Sequence, residues 1–88
     1  MNADFRYSRH AEEELLRRGI SREIADTVLR NPEQIVAERV PRRAYQSRVD
    51  FGGGRFFLVR LIVDDTANPA VVVTAYRTSK IDKYWRQS

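Results

Sequence analysis

The chain has 88 residues, 42% of them hydrophobic and 32% charged, which is one domain's worth of polypeptide with material for a single modest core. It holds no Cys and one His, which excludes a disulfide framework, a thiolate metal site, a Cys nucleophile and a His-rich metal cluster. No apolar run approaches the roughly 20 residues of a spanning helix and no signal-peptide core opens the chain, so the expectation is a cytoplasmic protein without membrane contact. Any catalysis would be acid–base chemistry without metal or cofactor.

Sixteen Lys and Arg against twelve Asp and Glu give a net charge of +4, and Lys occurs only at Lys80 and Lys83, leaving fourteen Arg. Arginine's planar fork suits phosphate and carboxylate and stays charged at any relevant pH, although a GC-rich genome also favours Arg codons. Residues 51–88 carry six cations and three anions, hence +3 of the +4. The closing stretch YRTSKIDKYWRQS interleaves cations with three aromatics, a composition that can grip phosphates and stack bases.

In chain order, Ser8 caps a first helix, Glu12, Glu13 and Glu14 follow near its start, Arg17 and Arg18 fill the last turn, and Gly19 stops it. The three Glu fan around the helix and make no metal site. Ser21 opens a second helix to about Arg30, with Ile24, Ala25, Val28 and Leu29 at helical spacing, and Asn31-Pro32 ends it. The period then shortens. Strands are expected over Glu33–Val40, Arg43–Phe51, Arg55–Asp64 and Ala70–Arg77, with a Gly52–Gly54 hairpin between the second and third and a tail or one short helix at the end. The fold class expected for the single domain 1–88 is α+β: two N-terminal helices packed on one face of a four-stranded antiparallel sheet.

Alternation assigns Phe57, Val59, Leu61 and Val63, with Val71, Val73 and Ala75, to the face under the helices. The other face, expected to be uncovered, would gather Arg48, Arg60, Thr74 and Tyr76 over Phe56 and Leu58. Two guanidiniums, a hydroxyl and a phenol there could seat a phosphodiester and its flanking bases; ordinary polar decoration of an exposed sheet is the alternative.

The run Ser8-Arg9-His10-Ala11, then Arg18-Gly19-Ile20-Ser21, and the ending VVVTAYRTSKIDKYW resemble a small bacterial family catalogued as domain of unknown function 4258, over about Tyr7 to Trp85. The resemblance implies a RelE/BrnT-like fold of the barnase–EndoU–colicin–RelE type, and YRTSKIDKYW is also similar to the Arg–Thr–Lys ending of BrnT-like toxins. The same resemblance implies a metal-independent endoribonuclease of toxin type acting on RNA, with or without a ribosome, beside an acidic antitoxin protein. His10, the one side chain whose ordinary pKa lies near neutrality, would move the proton. Arg48 and Arg60 would neutralise the phosphorane, and Lys80 with Thr74 would position the strand. Tyr76, Arg77, Thr78 and Tyr84 would bind substrate. Against these stand a helix-start His satisfied by a carboxylate, arginines paired across strands with Asp50 or Asp64, a solvated tail, and Tyr84 and Trp85 packing that tail onto the body. A non-catalytic module binding RNA or a protein on the same face is the competing function.

Overall fold

Ser8 and Ser21 do what their positions dictate. Each accepts, through its hydroxyl, the backbone N–H three residues on, at 3.0 Å, and each starts a helix: α1 (Arg9–Arg17) and α2 (Arg22–Arg30). Gly19 takes φ +66° just beyond α1, a conformation open to glycine at little cost. In this computed structural model, which describes residues 5–87, the remaining elements are β1 (Phe5–Tyr7), β2 (Gln34–Ala37), β3 (Arg42–Asp50), β4 (Phe56–Asp64), β5 (Ala70–Thr78) and α3 (Ile81–Tyr84). Among the described residues no helix is long and apolar enough to cross a membrane.

The class is α+β, but the expected four-stranded antiparallel sheet is not what forms. The sheet has five strands in the order β1-β5-β4-β3-β2 and is mixed, because β1 pairs with β5 in parallel, Phe5 with Ala70 through Tyr7 with Val72. With α3 there are three short helices among the described residues. The two N-terminal helices on a RelE/BrnT-like antiparallel sheet are therefore corrected to this mixed arrangement. The physical reason is that β1 is three residues long and its partner lies at the other end of the chain, so no local period announces it.

The main core draws Ala11 and Leu15 from α1, Ala25, Val28 and Leu29 from α2, and Tyr45, Val59, Leu61, Val63, Val72 and Ala75 from the strands. Val72 in this group overturns part of the expected face assignment. The β4–β5 register shifts between Ile62, which pairs with Thr74, and Val63, which pairs with Val72. Val73 is thus the extra residue of a bulge, and it reverses the alternation at the start of β5. Val72 enters the core where Val71 and Val73 were expected.

The sheet's second face is not open. A smaller cluster of Val36, Ala44 and Ile62, with Tyr76 against it, occupies part of that face, and the segment from Tyr84 to Arg86 folds back over its middle. Gln34 reads the tail backbone in both directions, donating from Nε2 to the Arg86 carbonyl at 2.9 Å and accepting the Arg86 N–H at 3.0 Å. Gln46 donates to the Tyr84 carbonyl at 3.2 Å. Tyr84 meets the Tyr76 ring edge-on at 6.1 Å.

Candidate functional site

Strand register puts Arg48, Arg60, Thr74, Tyr76 and Thr78 on one face of the sheet, and within it Gln34, Gln46, Arg60 and Tyr76 are direct partners across four strands. They form a hydrogen-bonded row. Gln46 donates to Gln34 at 2.8 Å, Arg60 Nε donates to Gln46 Oε1 at 2.7 Å, and an Arg60 terminal nitrogen donates to the Tyr76 hydroxyl at 2.6 Å. The other Arg60 terminal nitrogen reaches Glu38 at 3.0 Å, and its guanidinium lies 4.6 Å from the centre of the Tyr84 ring. Arg60 is only 3% exposed. Each of its three nitrogens has a partner and one side is roofed by an aromatic ring, so the expectation of an open phosphate-binding Arg60 is corrected. Burial pushes the Tyr76 phenol above its ordinary pKa, with Arg60 pulling the other way.

Arg48 is engaged as well. Its side chain grips Glu33 with two donors at 3.1 Å, its backbone N–H donates to the same carboxylate at 2.8 Å, and its guanidinium stacks 4.1 Å from the centre of the Trp85 ring. These bonds hold Glu33 below the usual carboxylate range. The partner is Glu33 from the loop before β2, not the Asp50 or Asp64 that the strand pattern suggested. Tyr84 and Trp85 hold the tail down, as the packing alternative for them required.

His10 and Thr74 do come together. His10 is exposed on the first turn of α1, and its Nε2 lies 3.1 Å from Thr74 Oγ1. The contact follows from the edge of β5. Parallel pairing with β1 stops at Val72, after which the Ser8 N–H donates to the Val72 carbonyl at 2.9 Å and the Ser8 hydroxyl to the Val73 carbonyl at 3.0 Å. From this anchor α1 runs beside β5 in the same direction. Nine residues of helix advance ~13 Å and three of strand ~10 Å, so Gly19, just past α1, reaches Arg77, its Cα side lying close to the guanidinium.

At that far end lies a polar cleft of about 700 Å³, lined by Leu16, Arg17, Arg18, Gly19, Phe57, Arg77, Thr78 and Ser79. Glu14 is the one carboxylate engaged there: it takes Arg18 at 2.8 Å and Arg17 at 3.5 Å, and the bond from Arg18 holds it below its ordinary pKa. Arg77 has no carboxylate partner among the described residues. Its guanidinium lies 4.2 Å from the centre of the Phe51 ring and 4.6 Å from that of Phe57, contacts that fix its position beside the two edge-to-face rings. Arg55 approaches the same Phe57 ring at 5.9 Å, and Thr78 Oγ1 accepts the Lys80 N–H at 3.0 Å, leaving the hydroxyl hydrogen to donate elsewhere. Lys80 itself is exposed.

Of the sequence candidates, the structure thus unites His10 with Thr74, lines the cleft with Arg77 and Thr78, sets Arg60, Tyr76 and Tyr84 in the buried row and its roof, and leaves Arg48 exposed beside Glu33 and Trp85. Arg17 and Arg18 were missed as site residues, because two cations in a helix's last turn are explained by the helix dipole alone. The signal that could have found them is Gly19, which ends α1 and so fixes where both arginines stop. Among the described residues no three of His, Asp and Glu gather at metal-binding range.

The fold and this geometry define an α+β protein with a mixed five-stranded sheet, a tail-covered second face and an arginine-lined cleft between α1 and the end of β5. The chain belongs to the family described as Domain of unknown function (DUF4258), whose model matches residues 7–77. Comparison with curated proteins and with solved structures found no match.

Proposed function

We propose that this protein binds RNA through the arginine cleft at the α1–β5 seam. The observation that carries the reading is the convergence of Arg17, Arg18 and Arg77 on one cleft with Ser79, offset among the described residues by Glu14. Several guanidiniums beside a hydroxyl are the chemistry of phosphate contact. Arg55 and Lys80 extend the positive field around it. The test is fluorescence anisotropy with a labelled single-stranded RNA over a salt series. Three phosphate contacts give a slope of about −2 in log affinity against log salt, and Arg77→Gln lowers it by about 0.7. Affinity that is absent, or indifferent to salt and to Arg77, defeats the reading.

A second reading, favoured by the His10–Thr74 contact, is the metal-independent endoribonuclease. A substrate 2′-hydroxyl would attack its adjacent phosphorus, the bond to the 5′-oxygen would break, and a 2′,3′-cyclic phosphate and a 5′-hydroxyl would result. His10 is the side chain suited to carry the proton, and Thr74 would hold the imidazole in place. Arg60 drops out of this version, since all three of its nitrogens are committed, and the cleft arginines, about 10 Å along the seam from Thr74, would hold a flanking phosphate and not the reacting one. The likeness of the tail to BrnT-like toxins supports it, and with it an acidic antitoxin partner that covers the cleft. Cyclic-phosphate ends produced by the wild type and lost in His10→Ala, with RNA affinity kept, would establish this reading; uncut RNA would leave the binding module.

A further inference from the structure

Resting on the RNA reading, we infer that the arginine cleft takes the terminal phosphate monoester of an RNA strand in preference to an internal phosphodiester. Arg17, Arg18 and Arg77 bring three positive charges and Glu14 returns one, so the cleft is built for a dianion. A phosphodiester carries a single negative charge, whereas a phosphate monoester carries nearly two above its second pKa of about 6.

Arg77 is fixed by its two aromatic contacts before any ligand arrives, so little rotamer freedom remains to be lost on binding. Arg18 commits Nε to Glu14 and keeps its terminal nitrogens, and Ser79 adds a hydroxyl at the rim. A terminal phosphate offers three unesterified oxygens to this donor set, and a diester only two.

The cations of the cleft sit where α1 ends and β5 leaves the sheet, whereas the middle of the second face, which a long strand would have to cross, is covered by the tail from Tyr84 to Arg86. One anchored end suits this shape better than a backbone tracked across the sheet.

The test uses the full chain and labelled RNA decamers with a 5′-phosphate, with a 3′-phosphate, or with hydroxyls at both ends, beside a hydroxyl-ended dodecamer whose total charge equals that of the phosphorylated decamers. The expected result is about tenfold tighter binding of one phosphorylated decamer than of the dodecamer at pH 7.5. That preference shrinks at pH 5.5 as the monoester takes up a proton, and it is absent in Arg77→Gln. The end that gains identifies the source of the phosphate. On the unaltered chain, inorganic phosphate displaces the phosphorylated decamer at lower concentration than the equimolar increase in chloride does. Equal affinity for the phosphorylated decamers and the dodecamer, with salt-sensitive binding of all of them, overturns the inference and leaves RNA binding standing. No binding of any RNA overturns both.

Discussion

Replacing Arg60 by Ala tests whether this arginine is a keystone of the fold or a ligand group. Its guanidinium satisfies the Gln46 side-chain oxygen, the Tyr76 hydroxyl and Glu38 at 2.6–3.0 Å while being 3% exposed. Gln46 is fully buried, so deleting its partner strands an acceptor that water cannot reach, at a cost of about 1–3 kcal/mol. Tyr76 is half-buried and loses a charge-assisted bond, for roughly another 1 kcal/mol. The Glu38 side chain is 35% exposed and can turn to solvent, so it adds little. The sum is about 3 kcal/mol, at the lower end of the ~3–5 expected for breaking a buried ion pair. For a domain of this size that is a fall in Tm of roughly 12–24 °C. Urea unfolding at pH 7 followed by circular dichroism measures it directly. Arg60→Lys recovers only part of the loss, since a single ammonium cannot serve three acceptors arranged for a fork. Should Arg60→Ala unfold within 1 kcal/mol of the wild type, and lose RNA affinity while folded, the guanidinium binds substrate and the structural assignment is wrong.

Ser8→Ala removes both the α1 cap and the bond to the Val73 carbonyl, and a loss of about 2 kcal/mol is expected in the same urea assay. Trp85→Ala removes the ring stacked on Arg48 and is expected to speed tryptic cleavage at Lys80 and Lys83 severalfold, with thermal stability changed far less than by Arg60→Ala. Asp65 accepts Arg43 through two nitrogens at 2.6 and 2.9 Å and the Tyr45 hydroxyl at 2.9 Å, and the Arg43 bonds hold its carboxyl below the usual range. Its folded pKa lies under its unfolded one, so its contribution is complete above the ordinary Asp value of about 4 and is lost as pH falls through the folded pKa. Asp65→Asn is therefore expected to lower stability at pH 7 and to flatten the acid limb below about pH 4; an unchanged acid limb would show that the pair adds nothing.

Sequence reading captures what local chemistry decides. Ser8, Ser21, Gly19 and Asn31-Pro32 mark both long helices because capping depends on one hydroxyl or one permitted φ, and three glycines before Arg55 mark the central hairpin. It fails where the deciding partner is remote. Nothing in Phe5-Arg6-Tyr7 states that Ala70–Val72 will accept it in parallel. Val71-Val72-Val73 is blind to register, since three identical side chains look the same on either face, and there the bulge sits. The covered second face did leave a trace: Leu58, Arg60 and Ile62 alternate with Val59, Leu61 and Val63 in a stretch apolar on both sides except for Arg60. Such a run is the mark of a strand buried on both faces, and all six residues are buried.

That trace also separates the two arginines on which the functional question turns. Arg60 interrupts a doubly apolar strand, so its charge has to be balanced from within the protein, by Glu38, Gln46 and Tyr76. Arg77 lies near the end of β5, where two Phe rings pack against its guanidinium and no carboxylate among the described residues answers its charge. At the α1–β5 seam Arg17 and Arg18 share one carboxylate, Glu14, and Arg77 has none among the described residues, so the cations there outnumber the anion that answers them. An acidic ligand is therefore drawn to the α1–β5 seam and not to the middle of the sheet, and charge reversal at Arg77 should abolish RNA binding where the same change at the exposed, remote Arg39 merely weakens it.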